Sequence, residues 1–132
     1  MFVLNFYSAV FTDQLKRGRK TATIRVGDKS KKYRKNQVVL VTVGRQYSPR
    51  EKLFHAVIDN VEVKRVKDLS PRDVEHDNPE FRRTEELVNF LQQIYDRDVS
   101  PEDTVTVVRF SQIIENPPDL QDRLRGVGGA QN

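Results

Sequence analysis

Gly18-Arg19-Lys20-Thr21-Ala22-Thr23-Ile24-Arg25 places three cations and two hydroxyls between a glycine and a β-branched run. Such a string supplies the donors of an anion or nucleic-acid site at the point where a strand begins. Between Lys16 and Lys35 stand ten basic residues, Lys16, Arg17, Arg19, Lys20, Arg25, Lys29, Lys31, Lys32, Arg34 and Lys35, against one acid, Asp28. This window carries +9 while the whole chain carries +4, so the remaining residues sum to −5. Lys and Arg concentrated on an otherwise acidic chain steer polyanions and replace counterions condensed on phosphates. The competing reading is a solvated charged surface with no ligand.

Working outward, residues 3–7 alternate as a short strand. Ser8 then offers a cap for a helix whose apolar Phe11 and Leu15 lie four apart, with Gly18 as its C-terminal stop. Residues 21–26 read as a strand, and residues 27–36 as an exposed Lys-rich loop. Val38–Val43 reads as a buried strand, and residues 53–66 as one long strand or two joined by a bulge. Ser70-Pro71 with Asp73 forms a capping box that opens a short helix, which Asn78-Pro79 interrupts. Leu87, Phe90, Leu91, Ile94 and Tyr95 recur at helical spacing and predict an apolar stripe facing the core. Residues 104–110 alternate as a closing strand, and the Asn-Pro-Pro and Gly-Val-Gly-Gly composition beyond Ile114 predicts a mobile tail over residues 115–132. Strands and helices in this order, in so short a chain, predict an α+β domain with a curled or barrel-like sheet.

Composition narrows the chemistry. The chain has 132 residues, no Cys and two His, His55 and His76, so a single domain without disulfides, thiol catalysis or a Cys/His zinc site is expected. No cofactor or metal is implied. No segment approaches the ~18 apolar residues of a membrane span, and the N-terminal residues lack the parts of a signal peptide, so a cytoplasmic protein without membrane partners is expected. His55, inside an apolar strand, reads as structural. Tyr33 and Tyr47 are candidates to stack on exposed bases between cations.

The 18–25 string, preceded by Phe11 and Leu15 and followed by the 38–43 strand, Asp68-Leu69-Ser70, the helix ending in Ile94-Tyr95 and the closing strand, resembles the ASCH family. The resemblance covers residues 2–114. It implies a small PUA-like β-barrel of five to six mostly antiparallel strands with two or three flanking helices. The string looks like the one in small bacterial members that deacetylate N4-acetylcytidine by amide hydrolysis, and the wider family is linked with RNA recognition and, in some members, RNA cleavage. Carried over by motif, the hydrolytic groups would be Lys20 as base and Thr23 as nucleophile. The acid/base partner falls near Asp77, where those members have Glu, with Glu75 as the other candidate.

Elementary chemistry sets conditions on that site. A Thr hydroxyl needs a neighbouring base, and a Lys serves as one only if burial or nearby cations depress its pKa. In a regular strand, residues three apart point to opposite faces, so Lys20 and Thr23 share a site only if Lys20 precedes the strand or a bulge separates them. Two further readings compete with the amidohydrolase. In the first, Arg19, Lys20, Thr21 and Arg25, with loop residues Lys29, Lys31, Lys32, Arg34 and Lys35, bind single-stranded or looped RNA or a modified nucleoside. In the second, the basic face docks an acidic protein partner.

Overall fold

The computed structural model describes residues 2–45 and 47–114, and the expected tail lies outside the described residues. Five strands, β1 (Phe2–Phe6), β2 (Ala22–Val26), β3 (Val38–Val43), β4 (Glu51–Arg65) and β5 (Thr104–Gln112), form one sheet in the order β1-β3-β4-β5-β2. The β1–β3 pair is parallel and the other three pairs are antiparallel. The sheet is mixed and curls into a half-barrel. With three helices, α1 (Phe11–Lys16), α2 (Pro71–Asp77) and α3 (Thr84–Tyr95), the fold is α+β and PUA-like. Among the described residues no helix is long and apolar enough to cross a membrane.

The segment expected as one strand or two is one strand, β4, whose fifteen residues from Glu51 to Arg65 serve two neighbours in turn, with Val66 already in the 3-10 turn that follows. Its first half pairs with β3 and its second half with β5, and the ladder to β5 slips between Ile58 and Asn60. That bulge lets one strand bend around the half-barrel.

Apolar residues on both faces of β5 explain why it is so nearly continuous in Val. Val108 and Phe110 join Leu4, Phe6, Phe11, Val39, Val41 and Ile58 in one core. Val105 and Val107 join Ala22, Ile24, Val74, Leu87 and Leu91 in a second, against α2 and α3. A strand covered on both faces reads as an apolar run rather than as an amphipathic one.

Local signals fix the elements that carry the site. α1 ends where Gly18 takes φ 70°, a left-handed conformation that costs a glycine little. There the Gly18 and Arg19 amides donate to Leu15 O and Gln14 O. This turn delivers Lys20 to the mouth of β2 two residues before the strand begins. At α2 the Asp73 amide donates to Ser70 Oγ and the Ser70 amide donates to Asp73 Oδ2, a reciprocal capping box behind Pro71. Since α2 stops at Asp77, the carboxylate of that residue lies in the last turn, against β2.

Candidate functional site

Lys20, Thr23 and Asp77 converge, because Lys20 precedes β2 and so escapes the alternation that would separate it from Thr23. The Lys20 side chain is buried and donates from Nζ to Ala22 O at 3.0 Å, to Asp77 Oδ1 at 3.0 Å and to the Asp77 carbonyl at 2.5 Å. Three acceptors match the three protons of an ammonium. The carbonyl it meets belongs to the C-terminal turn of α2, where a cation is favoured. Asp77 Oδ1 also accepts from the Ile24 amide at 2.9 Å, which ties α2 to β2. The Phe11 and Phe6 rings lie 4.4 and 5.2 Å from Nζ. Burial pushes the Lys20 pKa below its ordinary value; the Asp77 carboxylate opposes that shift, and Arg25 adds to it.

Thr23 is buried, and its Oγ1 accepts from Arg25 Nε at 3.0 Å. Arg25 also donates to Asn5 O at 2.9 Å and lies over the Phe6 ring, so its guanidinium is fixed inside the half-barrel. The two aromatic residues that end this inner space are Phe90, edge-on to Phe11 at 5.3 Å, and Tyr95, whose hydroxyl accepts from the Val26 amide. Burial raises the Tyr95 pKa, which keeps it a neutral phenol. The cavity shared by Lys20, Thr23, Arg25 and Asp77 measures about 40 Å³. That is room for water-sized occupants only.

On the other side of Lys20 a cleft of about 540 Å³ opens to solvent. A cleft of that size is in the range of ligand sites, ~300–1,000 Å³. Gly18, Lys20 and Thr21 form part of its lining, joined by Arg72 and His76 from α2, Phe54 and Asp59 from β4, and Arg109, Ser111 and Gln112 from β5.

Arg109 is held in place, since its two terminal nitrogens meet His76 Nδ1, at 2.7 Å, and Asp73 Oδ1. Asp73 takes Lys64 Nζ at 2.7 Å on its other oxygen. Burial works to raise the Asp73 pKa, but the bonds from Lys64 and Ser70 outweigh it and hold the carboxylate below its ordinary value. The Thr21 amide donates to His76 O, which fixes the string against this network.

The remaining sequence candidates lie elsewhere. Glu75 is exposed on α2, two residues from the carboxylate that meets Lys20. Arg19 is exposed beside the cleft turn, and Lys31, Lys32, Arg34 and Lys35 are exposed and Lys29 half-exposed in the 27–37 connection. None of these five loop cations lines the cleft. Tyr33 is buried in the first core cluster, so it has no face to offer a base, whereas Tyr47 is 97% exposed. Tyr95 both packs against the second core and closes the inner cavity. Among the described residues no group of three or more His, Asp or Glu could hold a metal ion.

No family model matches the sequence, and no curated protein matches it. Solved structures do match the fold. An ASCH domain from Lactobacillus crispatus JV V101 aligns at TM-score 0.58 and 15% identity over 82% of this chain and 77% of its own. Protein EF3133 of Enterococcus faecalis V583, of the family DUF984, aligns at TM-score 0.61 and 15% identity over 86% of this chain and 81% of its own. Hypothetical protein PH0355 aligns at TM-score 0.63 and 16% identity over 86% of this chain and all of its own. The fold is therefore that of ASCH domains.

Proposed function

We propose that this ASCH-type domain binds single-stranded or looped RNA, or a modified nucleoside, in the open cleft beside Gly18, Lys20 and Thr21. The observation that carries the reading is the cleft itself: its volume suits a nucleotide, and it presents Arg72, Arg109 and His76 together with Phe54. A guanidinium held as that of Arg109 is, with the exposed Arg72 beside it, suits phosphate oxygens, and an aromatic face suits an unstacked base. The exposed cations Lys31, Lys32, Arg34 and Lys35, with Lys29, add phosphate contacts along a longer strand. The test is RNA affinity against salt: log affinity falls with log salt by about 0.7 per phosphate contacted. No affinity for RNA or nucleosides at low salt would leave the basic face to an acidic protein partner.

One observation favours a second reading, hydrolysis of an acylated cytidine. Lys20, Thr23 and Asp77 border one cavity, Lys20's pKa is lowered, and Arg25 already donates to the Thr23 oxygen. In that reaction a neutral Lys20 amine takes the Thr23 proton as Oγ1 attacks the acyl carbon. The C–N bond breaks with that proton passing to the leaving amine, and water then hydrolyses the acyl-threonine ester. The three acceptors around Lys20 and the small cavity set the cost, since one hydrogen bond must be given up and the space widened. Incubating the protein with N4-acetylcytidine and assaying for cytidine tests it directly.

A further inference from the structure

Asp59 stands where β4 and β5 lose register. Ile58 pairs with Phe110 and Asn60 with Arg109, which leaves Asp59 as the extra residue of the bulge. A bulge re-aims a side chain, and here Asp59 lines the cleft whose other charged side chains open to it are Arg72 and Arg109, with His76. Its side chain is exposed, and Ser111 Oγ donates to its Oδ2 at 2.5 Å. Arg109, opposite the neighbouring Asn60, turns its guanidinium to Asp73 and His76. An ionised carboxylate has about four acceptor positions, so the Ser111 hydroxyl leaves most of them open.

A carboxylate in a phosphate-binding cleft repels the ligand unless the ligand offers it a proton donor. RNA offers strong donors in the exocyclic amines of its bases, and Asp accepts from cytosine N4 in this way. Uracil differs from cytosine at the same edge by presenting a carbonyl oxygen, which the carboxylate repels. We infer that Asp59 is a specificity-determining residue that reads the exocyclic amine of a base held in the cleft, so that the site takes amine-bearing bases in preference to uracil. Phe54, half-buried and lining the same cleft, supplies the surface for the base. This inference rests on the RNA-binding reading of the cleft.

Cytosine and uracil stack alike and differ only along the edge in question, which makes them the probes. Fluorescence anisotropy at low salt compares labelled oligocytidine and oligouridine of equal length on the wild type, Asp59→Asn and Asp59→Ala. The wild type is expected to prefer oligocytidine by about tenfold, the scale of one good base-edge contact. Asp59→Asn presents a carbonyl or an amide to either base, so the ratio should fall toward one. Asp59→Ala should bring the two affinities together by weakening oligocytidine and strengthening oligouridine. The exposed position makes loss of folding a small concern, and a thermal melt of each variant checks it. Equal gains for both oligonucleotides in the variants would make Asp59 a mere repulsive charge and overturn the inference. Equal binding of both by the wild type would overturn it while leaving RNA binding intact. No binding of either would overturn the RNA reading together with this one.

Discussion

Replacing Asp77 by Ala tests whether the Lys20–Asp77 pair is a structural keystone as well as a candidate catalytic one. The substitution leaves the Ile24 amide buried without its acceptor, a loss of about 1–3 kcal/mol. It also strands the Lys20 ammonium, buried between two aromatic rings and two carbonyls, without its counter-charge. Breaking one side of a buried pair costs about 3–5 kcal/mol in all. That is a large share of a total stability of about 5–15 kcal/mol. The assay is a double-mutant cycle by urea unfolding near neutral pH with Lys20→Met, Asp77→Ala and the double variant. Lys20→Met should destabilise the wild type yet be neutral or stabilising in the Asp77→Ala background, where it removes an uncompensated charge. The coupling should approach the upper end of measured values, about 2–3 kcal/mol. Additive losses, with coupling under about 0.5 kcal/mol, would refute the reasoning, since the two residues would then not act as a unit.

Alkaline pH reads the same pair from the side of Lys20. Its folded pKa lies below the unfolded value of about 10.4. The unfolded chain therefore binds more protons in the window between the two, and Lys20's contribution to stability should rise with pH up to about 10.4. The unfolding free energy of the wild type relative to Lys20→Met should grow over that range, and a flat difference would contradict the burial argument. At the acid end Asp73 has the opposite sign, a folded pKa below about 3.9, so the stability it adds is present above that value and is lost as pH falls through the folded pKa. Asp73→Asn should accordingly show a shallower acid loss than the wild type in urea titrations below pH ~4. Lys20→Arg keeps a cation but cannot deprotonate, so any deacetylation of N4-acetylcytidine should vanish while RNA affinity survives. Thr23→Ala should likewise remove turnover. Neutralising Lys29, Lys31, Lys32, Arg34 and Lys35 together should flatten the salt dependence of RNA binding by about 0.7 for each phosphate they neutralise, and an unchanged slope would remove the loop from the binding surface.

Much of the fold is legible in the sequence where local signals agree with one another. The Ser70-Pro71 capping box, the stop at Gly18 and the Leu87 to Tyr95 stripe each have a short-range physical cause, and each element stands where that cause puts it. The register slip in β4 is another matter. The run from Leu53 to Val66 permits either one strand or two, because apolar spacing cannot say which partner each half will meet. Only the assembled sheet decides that the strand stays continuous and slips register at Asp59. Tyr33 fails for a related reason. A tyrosine among five loop cations suggests a stacking platform, but the ring is buried in the core cluster that also holds Leu4 and Val39. Composition reports the charge of a loop and not the direction in which one of its residues turns.

The site divides along the same line. Lys20 and Thr23 lie on one continuous string, so their sharing one cavity depends only on where β2 starts, and a glycine two residues before Lys20 signals that start. Asp77 comes from 57 residues away, and resemblance narrows it to a choice with Glu75; the length of α2 decides between them, burying Asp77 in the last turn and leaving Glu75 in solvent. Arg109, Arg72 and Asp59 are separated by tens of residues and belong to no motif. Each carries a signal that gains meaning only beside the others: Arg109 interrupts a valine-rich strand, Arg72 follows a first-turn proline, and Asp59 breaks the alternation of β4. A charge in an apolar strand must find a partner or reach water. Arg109 finds Asp73 and His76 at the edge of a cleft, and the partners that satisfy it also fix the direction of its guanidinium there.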